Sequence, residues 1–173
     1  MIELEERARV ERPIDECFAY VADFRSSAEW DATAFEARKV TDGAVALGTQ
    51  FEVRCKLPVG SIEIDYTVTQ FEAPQRVVLR AECWAFDGED EILFERDGDA
   101  TLVTYRAAFD FHAPFAHLES LFRGGLQRMG KVAIAGLAQA LEDDFDPPAT
   151  SPGAARADRL LWPGLAMFSK LGF

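Results

Sequence analysis

Apolar and polar positions alternate with period two over long stretches of the chain, and turn residues punctuate the stretches at regular intervals. Residues 49–57 set Phe51, Val53, Cys55 and Leu57 against Glu52, Arg54 and Lys56. Residues 61–71 set Ile62, Ile64, Tyr66 and Val68 against Glu63, Asp65, Thr67 and Thr69. Residues 101–111 set Val103, Tyr105, Ala107, Phe109 and Phe111 against Thr104, Arg106 and Asp110. This pattern predicts antiparallel strands with one wet face and one covered face. The breaks are Asp42-Gly43, Pro58-Val59-Gly60, Ala73-Pro74-Gln75, Asp87-Gly88 and Asp97-Gly98. Aspartate-glycine pairs supply the positive φ angles of tight turns, so three of these breaks predict hairpins.

Ahead of the meander, residues 3–11 form an imperfectly alternating strand with Leu4, Ala8 and Val10 on one side. Pro13 opens a short helix whose apolar face is Ile14, Cys17, Phe18 and Val21, and Asp23 caps a second short segment ending near Trp30. After the meander, residues 114–141 carry Leu118, Leu121, Phe122, Leu126, Met129, Val132, Ala133, Leu137 and Leu141 at helical spacing. Such a helix reaches roughly 40 Å and is the element able to cover the sheet. Beyond residue 146 the chain turns to a proline-rich linker and a strongly apolar tail, residues 147–173.

Composition narrows the possibilities. At 173 residues and 49% hydrophobic, the chain is long enough for one domain with a real core. A formal charge of −12 argues against nucleic acid as a partner. The charged beginning is no secretory signal, and Cys17, Cys55 and Cys83 are odd in number and far apart. They read as reduced, buried thiols of a cytoplasmic protein. No apolar run is long enough for a membrane span. Fourteen phenylalanines against three tyrosines suit a dry core or the wall around an apolar ligand.

Several local stretches, in order, resemble one family. Asp15-Glu16-Cys17-Phe18-Ala19-Tyr20-Val21-Ala22-Asp23 followed by Trp30, then Gly48-Thr49-Gln50-Phe51, are similar to its opening helices and its entry to the third strand. Tyr66-Thr67-Val68 leading through Phe71 to Pro74-Gln75-Arg76-Val77, and Gly98 leading to Thr101-Leu102-Val103-Thr104-Tyr105, resemble its central and last hairpins. The family is the START-like superfamily (SRPBCC) of polyketide cyclases/dehydrases and lipid-transport proteins. The resemblance covers about residues 1–143. It implies an α+β helix-grip fold, in which a curved antiparallel sheet of about seven strands wraps around a long C-terminal helix. The expected order is β-α-α-β-β-β-β-β-β-α, with the domain at residues 1–146. It further implies a cavity between sheet and helix that takes a hydrophobic small molecule. Its members include binders, carriers and enzymes, so the fold leaves activity open.

On that basis the expected ligand-facing residues are Trp30, Phe51, Val53, Cys55, Ile64 and Tyr66 from the first half of the chain. Phe94, Tyr105, Phe109, Phe122 and Met129 follow from the second half. Each phenylalanine reads equally as plain core. Tyr66 and Tyr105 carry more information, because a hydroxyl on the covered face needs a partner, in the ligand or in the protein. The weak catalytic candidates are these two tyrosines with Asp110 and His112; alternation turns the last two outward, as solvated surface residues. The spacing of His112 and His117 is no zinc pattern, so neither metal nor cofactor is expected. The run Asp87-Gly88-Glu89-Asp90-Glu91 reads as a solvated hairpin tip. Glycines 124, 125, 130 and 136 need a reason inside a helix: close packing, or room for a ligand.

The leading expectation is therefore binding or transport of a hydrophobic or amphipathic small molecule, lipid or polyketide-like. A cyclase/dehydrase-type enzyme is the alternative, and it lacks an inward carboxylate or histidine in this reading. A third possibility is a protein-interaction module using the tail, which carries Arg156, Arg159 and Lys170 against Asp158. That tail is expected to dock on the domain or on its twin in a homodimer; membrane contact is the less favoured reading.

Overall fold

The computed structural model describes residues 1–57 and 60–143. Strand β1 (Ile2–Val10) leads into α1 (Ile14–Ala22), a single 3₁₀ turn (Phe24–Ser26) and the one-turn helix α2 (Ser27–Trp30). Six strands follow: β2 (Ala34–Lys39), β3 (Gln50–Lys56), β4 (Ser61–Glu72), β5 (Arg76–Glu82), β6 (Phe86–Asp97) and β7 (Ala100–Phe111). A second 3₁₀ turn (Phe115–Leu118) precedes the long helix α3 (Glu119–Glu142). The strands form one antiparallel sheet in the order β1-β7-β6-β5-β4-β3-β2. The expected α+β order, seven strands ending in a long helix, is the observed one.

Local chemistry explains the elements. Pro13 sits at the N-cap of α1 in extended conformation, and Ile14, Cys17, Phe18 and Val21 are its buried stripe. Asp23 caps the next turn by accepting a hydrogen bond from the Arg25 amide at 3.3 Å. Helix α3 buries Ala133, Ile134, Leu137 and Leu141, while Val132, expected on that face, stays 40% exposed. The outer face of the sheet is laced by ion pairs, with Arg106 bridging Glu5 and Glu91 and Arg76 also reaching Glu91.

The three aspartate-glycine pairs take three different roles. Asp97-Gly98 makes the expected tight hairpin: Asp97 pairs with Ala100, and Gly98 has φ +66°. Asp42-Gly43 lies in the long connection between β2 and β3, again at positive φ. Asp87-Gly88 is not a turn. The chain reverses one step earlier, at residues 83–85, and Asp87 pairs with Glu82 inside the ladder. A Cβ on Gly88 would stand 2.9 Å from the Ala108 carbonyl oxygen, so this glycine serves a close backbone approach within a strand. The acidic run is therefore no hairpin tip. It lies along β6, where alternation sends Asp87 and Glu89 outward and Asp90 inward, to 4% exposure.

The interior falls into two apolar clusters. The larger one includes Phe18, Phe24, Trp30, Phe51, Leu79 and Leu137. The smaller one joins Ile2, Leu4, Ala107 and Phe109, with Phe122, Leu126 and Met129 of α3 packed on it. Tyr105 and Phe86 touch both clusters while keeping some accessible surface.

Candidate functional site

The register of the central strands builds the site. On the inner face Tyr66 of β4 stands opposite Phe51 and Ala81. Asp90 of β6 stands opposite Leu79 and Ala107, and Tyr105 of β7 stands opposite Ile92 and Glu6. These three rows are adjacent, so Tyr66, Asp90 and Tyr105 run diagonally across the sheet. The small Ala81, Gly88 and Ala107 around the diagonal leave long side chains room to converge. Both tyrosine hydroxyls neighbour the Asp90 carboxyl and favour its ionised form.

Electrostatics set this carboxyl apart. Burial pushes Asp90 up to about 7, opposed by the neighbouring tyrosine hydroxyls and assisted by the nearby charge of Asp31. Asp31 follows α2 and accepts hydrogen bonds from the Thr33 amide and hydroxyl, each at 2.8 Å. Burial raises it despite those donors. Burial, with the Asp31 charge behind it, pushes the Cys55 thiol up to about 12, so it stays protonated and is no nucleophile at neutral pH. Tyr66 and Tyr105 are raised well above the ordinary tyrosine value, first by burial and then by Asp90. Asp31, Cys55, Tyr66, Asp90 and Tyr105 thus form one group of electrostatic neighbours, with Asp90 its buried carboxyl.

The two tyrosines are ringed by protein yet keep accessible surface, as do Glu6, Cys83 and Phe86 of the same sheet face. Opposite them, Leu126 and Met129 of α3 are likewise only partly covered. Helix α3 rests on β1 and α2. At the β1 contact, a Cβ on Gly130 would lie 3.3 Å from Leu4 and 3.5 Å from Glu6. The closest approach of α3 to the sheet is thus at β1, its edge strand.

The expected ligand-facing residues separate into groups. Trp30 is 5% exposed and lies edge-on to Tyr105 at 6.2 Å, with its indole nitrogen donating to Ser26 Oγ at 3.1 Å. Phe51 packs on Phe24 at 6.3 Å, and Phe94 packs on Phe18 of α1 at 5.5 Å. Val53, Cys55 and Ile64 are buried beside the polar cluster, and Phe24 lies 4.7 Å from Tyr66. Phe109 belongs to the smaller apolar cluster, which Phe122 and Met129 close from the α3 side. Asp110 is exposed on the outer face. His112 turns to Asp87, its Nε2 3.5 Å from that carboxylate and its Nδ1 3.3 Å from the Trp84 carbonyl.

Sequence reasoning missed Asp90 and Asp31. The inward register was available: stepping back by two from Phe94 through Ile92 lands on Asp90, then Gly88, then Phe86. Treating Asp87-Gly88 as a turn broke that register and placed the carboxylate in water.

A model of the polyketide cyclase/dehydrase and lipid transport family matches residues 1–142. The chain belongs to this family. No curated protein matches it. A Thermus thermophilus protein superposes with a TM-score of 0.69 at 13% identity, covering 80% of this chain and 96% of that one. The Zhui aromatase/cyclase from Streptomyces gives 0.69 at 12% identity, covering 81% and 93%. A START superfamily protein from Mycobacterium smegmatis gives 0.60 at 14% identity, covering 79% and 97%. At such identities these likenesses establish the shared fold, not a shared substrate. Among the described residues of this family member, no helix is long and apolar enough to cross a membrane, and no three metal-ligating side chains cluster.

Proposed function

We propose that the chain encloses a hydrophobic or amphipathic small molecule between the inner face of the sheet and α3, with Asp90, Tyr66 and Tyr105 as the polar pole that orients it. The supporting observation is the placement of that cluster: a 4% exposed carboxyl with two tyrosine hydroxyls beside it, on the largely apolar inner face of the sheet. Apolar walls supply affinity and a few convergent polar groups supply orientation, which is the common plan of small-molecule sites.

A second reading, catalysis of the cyclase/dehydrase kind, is favoured by the same residue. The sequence offered no inward carboxylate; Asp90 is one, and a group titrating at about 7 exchanges protons efficiently near neutral pH. Asp90 would remove a proton from a bound substrate and return it at a neighbouring atom, with the tyrosine hydroxyls holding the developing negative charge. The interaction-module reading, including a homodimer through the tail, rests on residues 147–173 and lies outside the described residues.

Native mass spectrometry of the purified full-length chain tests the binding reading. A one-to-one adduct that leaves on denaturation, and fails to form in a Tyr66→Phe, Tyr105→Phe double variant, is the expected result. Recovery of a bare chain that takes up no hydrophobic probe overturns it. Conversion of the released molecule by fresh protein to a new mass favours the enzyme; unchanged mass favours the carrier.

A further inference from the structure

Among the described residues, the buried carboxyl Asp90 has no cationic partner. Asp90 and Asp31 face the polar cluster, and Glu6 enters it from β1 opposite Tyr105. The remaining titratable groups coupled to Asp90 are Cys55 on β3, Tyr66 on β4, Glu89 next to it on β6 and Tyr105 on β7, none of them cationic. Among the described residues, every lysine and arginine is exposed or is held at the rim by a named partner. Arg12 is bound to the Leu141 carbonyl, Arg25 to Asp23, Lys39 to the carbonyls of Thr41 and Gly43, and Arg76 to Glu91. Of the histidines, His112 pairs with Asp87 outside and His117 is exposed. The described helix α3 brings only exposed cations, Arg123, Arg128 and Lys131.

A buried carboxylate is costly unless a positive charge or several donors meet it. Here the described residues place two tyrosine hydroxyls beside Asp90 and no cation. An anionic headgroup beside Asp90 would add like charge in a low dielectric, whereas a protonated amine would replace the missing counter-ion. The acidic body, part of a chain of net charge −12, biases encounter in the same direction.

We propose, resting on the binding reading above, that the ligand's polar end is a protonated amine or amidine, which docks on Asp90 between Tyr66 and Tyr105 with an apolar body beneath α3. Fatty acids, acyl phosphates and anionic lipids are the excluded classes.

Three probes of equal chain length separate the alternatives: decylamine, decanol and decanoate, measured by titration calorimetry on the full chain at pH 8. The amine is expected to bind at least about tenfold tighter than decanol, and decanoate weaker than decanol. In Asp90→Asn the amine's advantage over decanol is expected to collapse. In the wild type it should shrink as pH falls from 8 to 5 while decanol binding holds steady, a readout that needs no variant. Decanoate binding as tightly as decylamine, with decanol also bound, overturns the amine assignment and leaves the cavity reading intact. An amine preference that survives Asp90→Asn unchanged overturns it too, because the acidic surface would then be its source. Failure of all three probes to bind removes the binding reading itself.

Discussion

Asp90→Asn is expected to make the protein more stable at pH 8, by about 2–4 kcal/mol, and to change little near pH 4. The sign follows from linkage. The folded-state value is raised to about 7 from 3.8, so between those values the folded chain holds a proton that the unfolded chain has released. The contribution is fully present below the unfolded value and is lost as pH rises through about 7. Asp31, also raised, adds in the same direction. Glu5, held low by Arg106 and Arg7, and Glu91, held low by Arg106 and Arg76 despite its burial, act oppositely. Their contribution is present above the ordinary glutamate value of 4.5 and is lost only as pH falls through their lowered values, so it does not mask the window from pH 5 to 8. Asparagine keeps the shape but carries no charge to desolvate. Urea unfolding of both proteins at pH 5 and pH 8 measures the difference; equal gaps at the two pH values would mean that the carboxyl is not buried as described. A stabilising change at one interior position is what a site kept for function at the expense of stability should show.

The second large effect runs against helix propensity. Alanine for glycine inside a helix ordinarily gains up to about 1 kcal/mol. At Gly136 a Cβ would stand 2.3 Å from the backbone carbonyl oxygen of Trp30, and no flexible side chain is there to give way. Gly136→Ala therefore has to push α2 off α3, at a cost of about 2–4 kcal/mol, somewhat beyond ordinary overpacking. The displacement would carry Trp30 with it, whose ring lies against Tyr105, so ligand retention should fall as well. Gly124 and Gly125 provide the contrast. Nothing stands within 4 Å of a Cβ at either, and alanine at each is expected to add up to about 1 kcal/mol in the same urea experiment. A Gly136→Ala protein as stable as wild type would show that α2 and α3 do not cross as closely as described.

These glycines also show where sequence reading runs out. Of the two explanations offered for them, close packing describes Gly130 and Gly136. Gly136 is packed against Trp30, Gly130 is seated on Leu4 and Glu6, and the other two are open. Spacing along a helix does not reveal which turn another backbone crosses. The strands were far more legible, because Phe51, Val53, Ile62, Ile64 and Val103 alternate cleanly and one inner face buries them all. Asp90 was hidden by its neighbours. Glu89 and Glu91 pair it with an acidic stretch that looks solvated as a whole, although a strand sends its middle residue to the opposite face. Tyr66 and Tyr105 stood out in the sequence because a hydroxyl on a covered face raises the question of its partner, and the carboxyl beside them is the one that composition disguised.

The central claim is that Asp90 sits, nearly shut off from water, on the wall of a ligand-binding hollow. Carbon-13 detection of the aspartate carboxyl signals across a pH titration, with Asp90→Asn for assignment, tests it most directly. The account predicts one aspartate resonance with a midpoint of about 7, missing from the variant and moved by added decylamine. A midpoint for Asp90 near 3.8, unmoved by any hydrophobic probe, would contradict it.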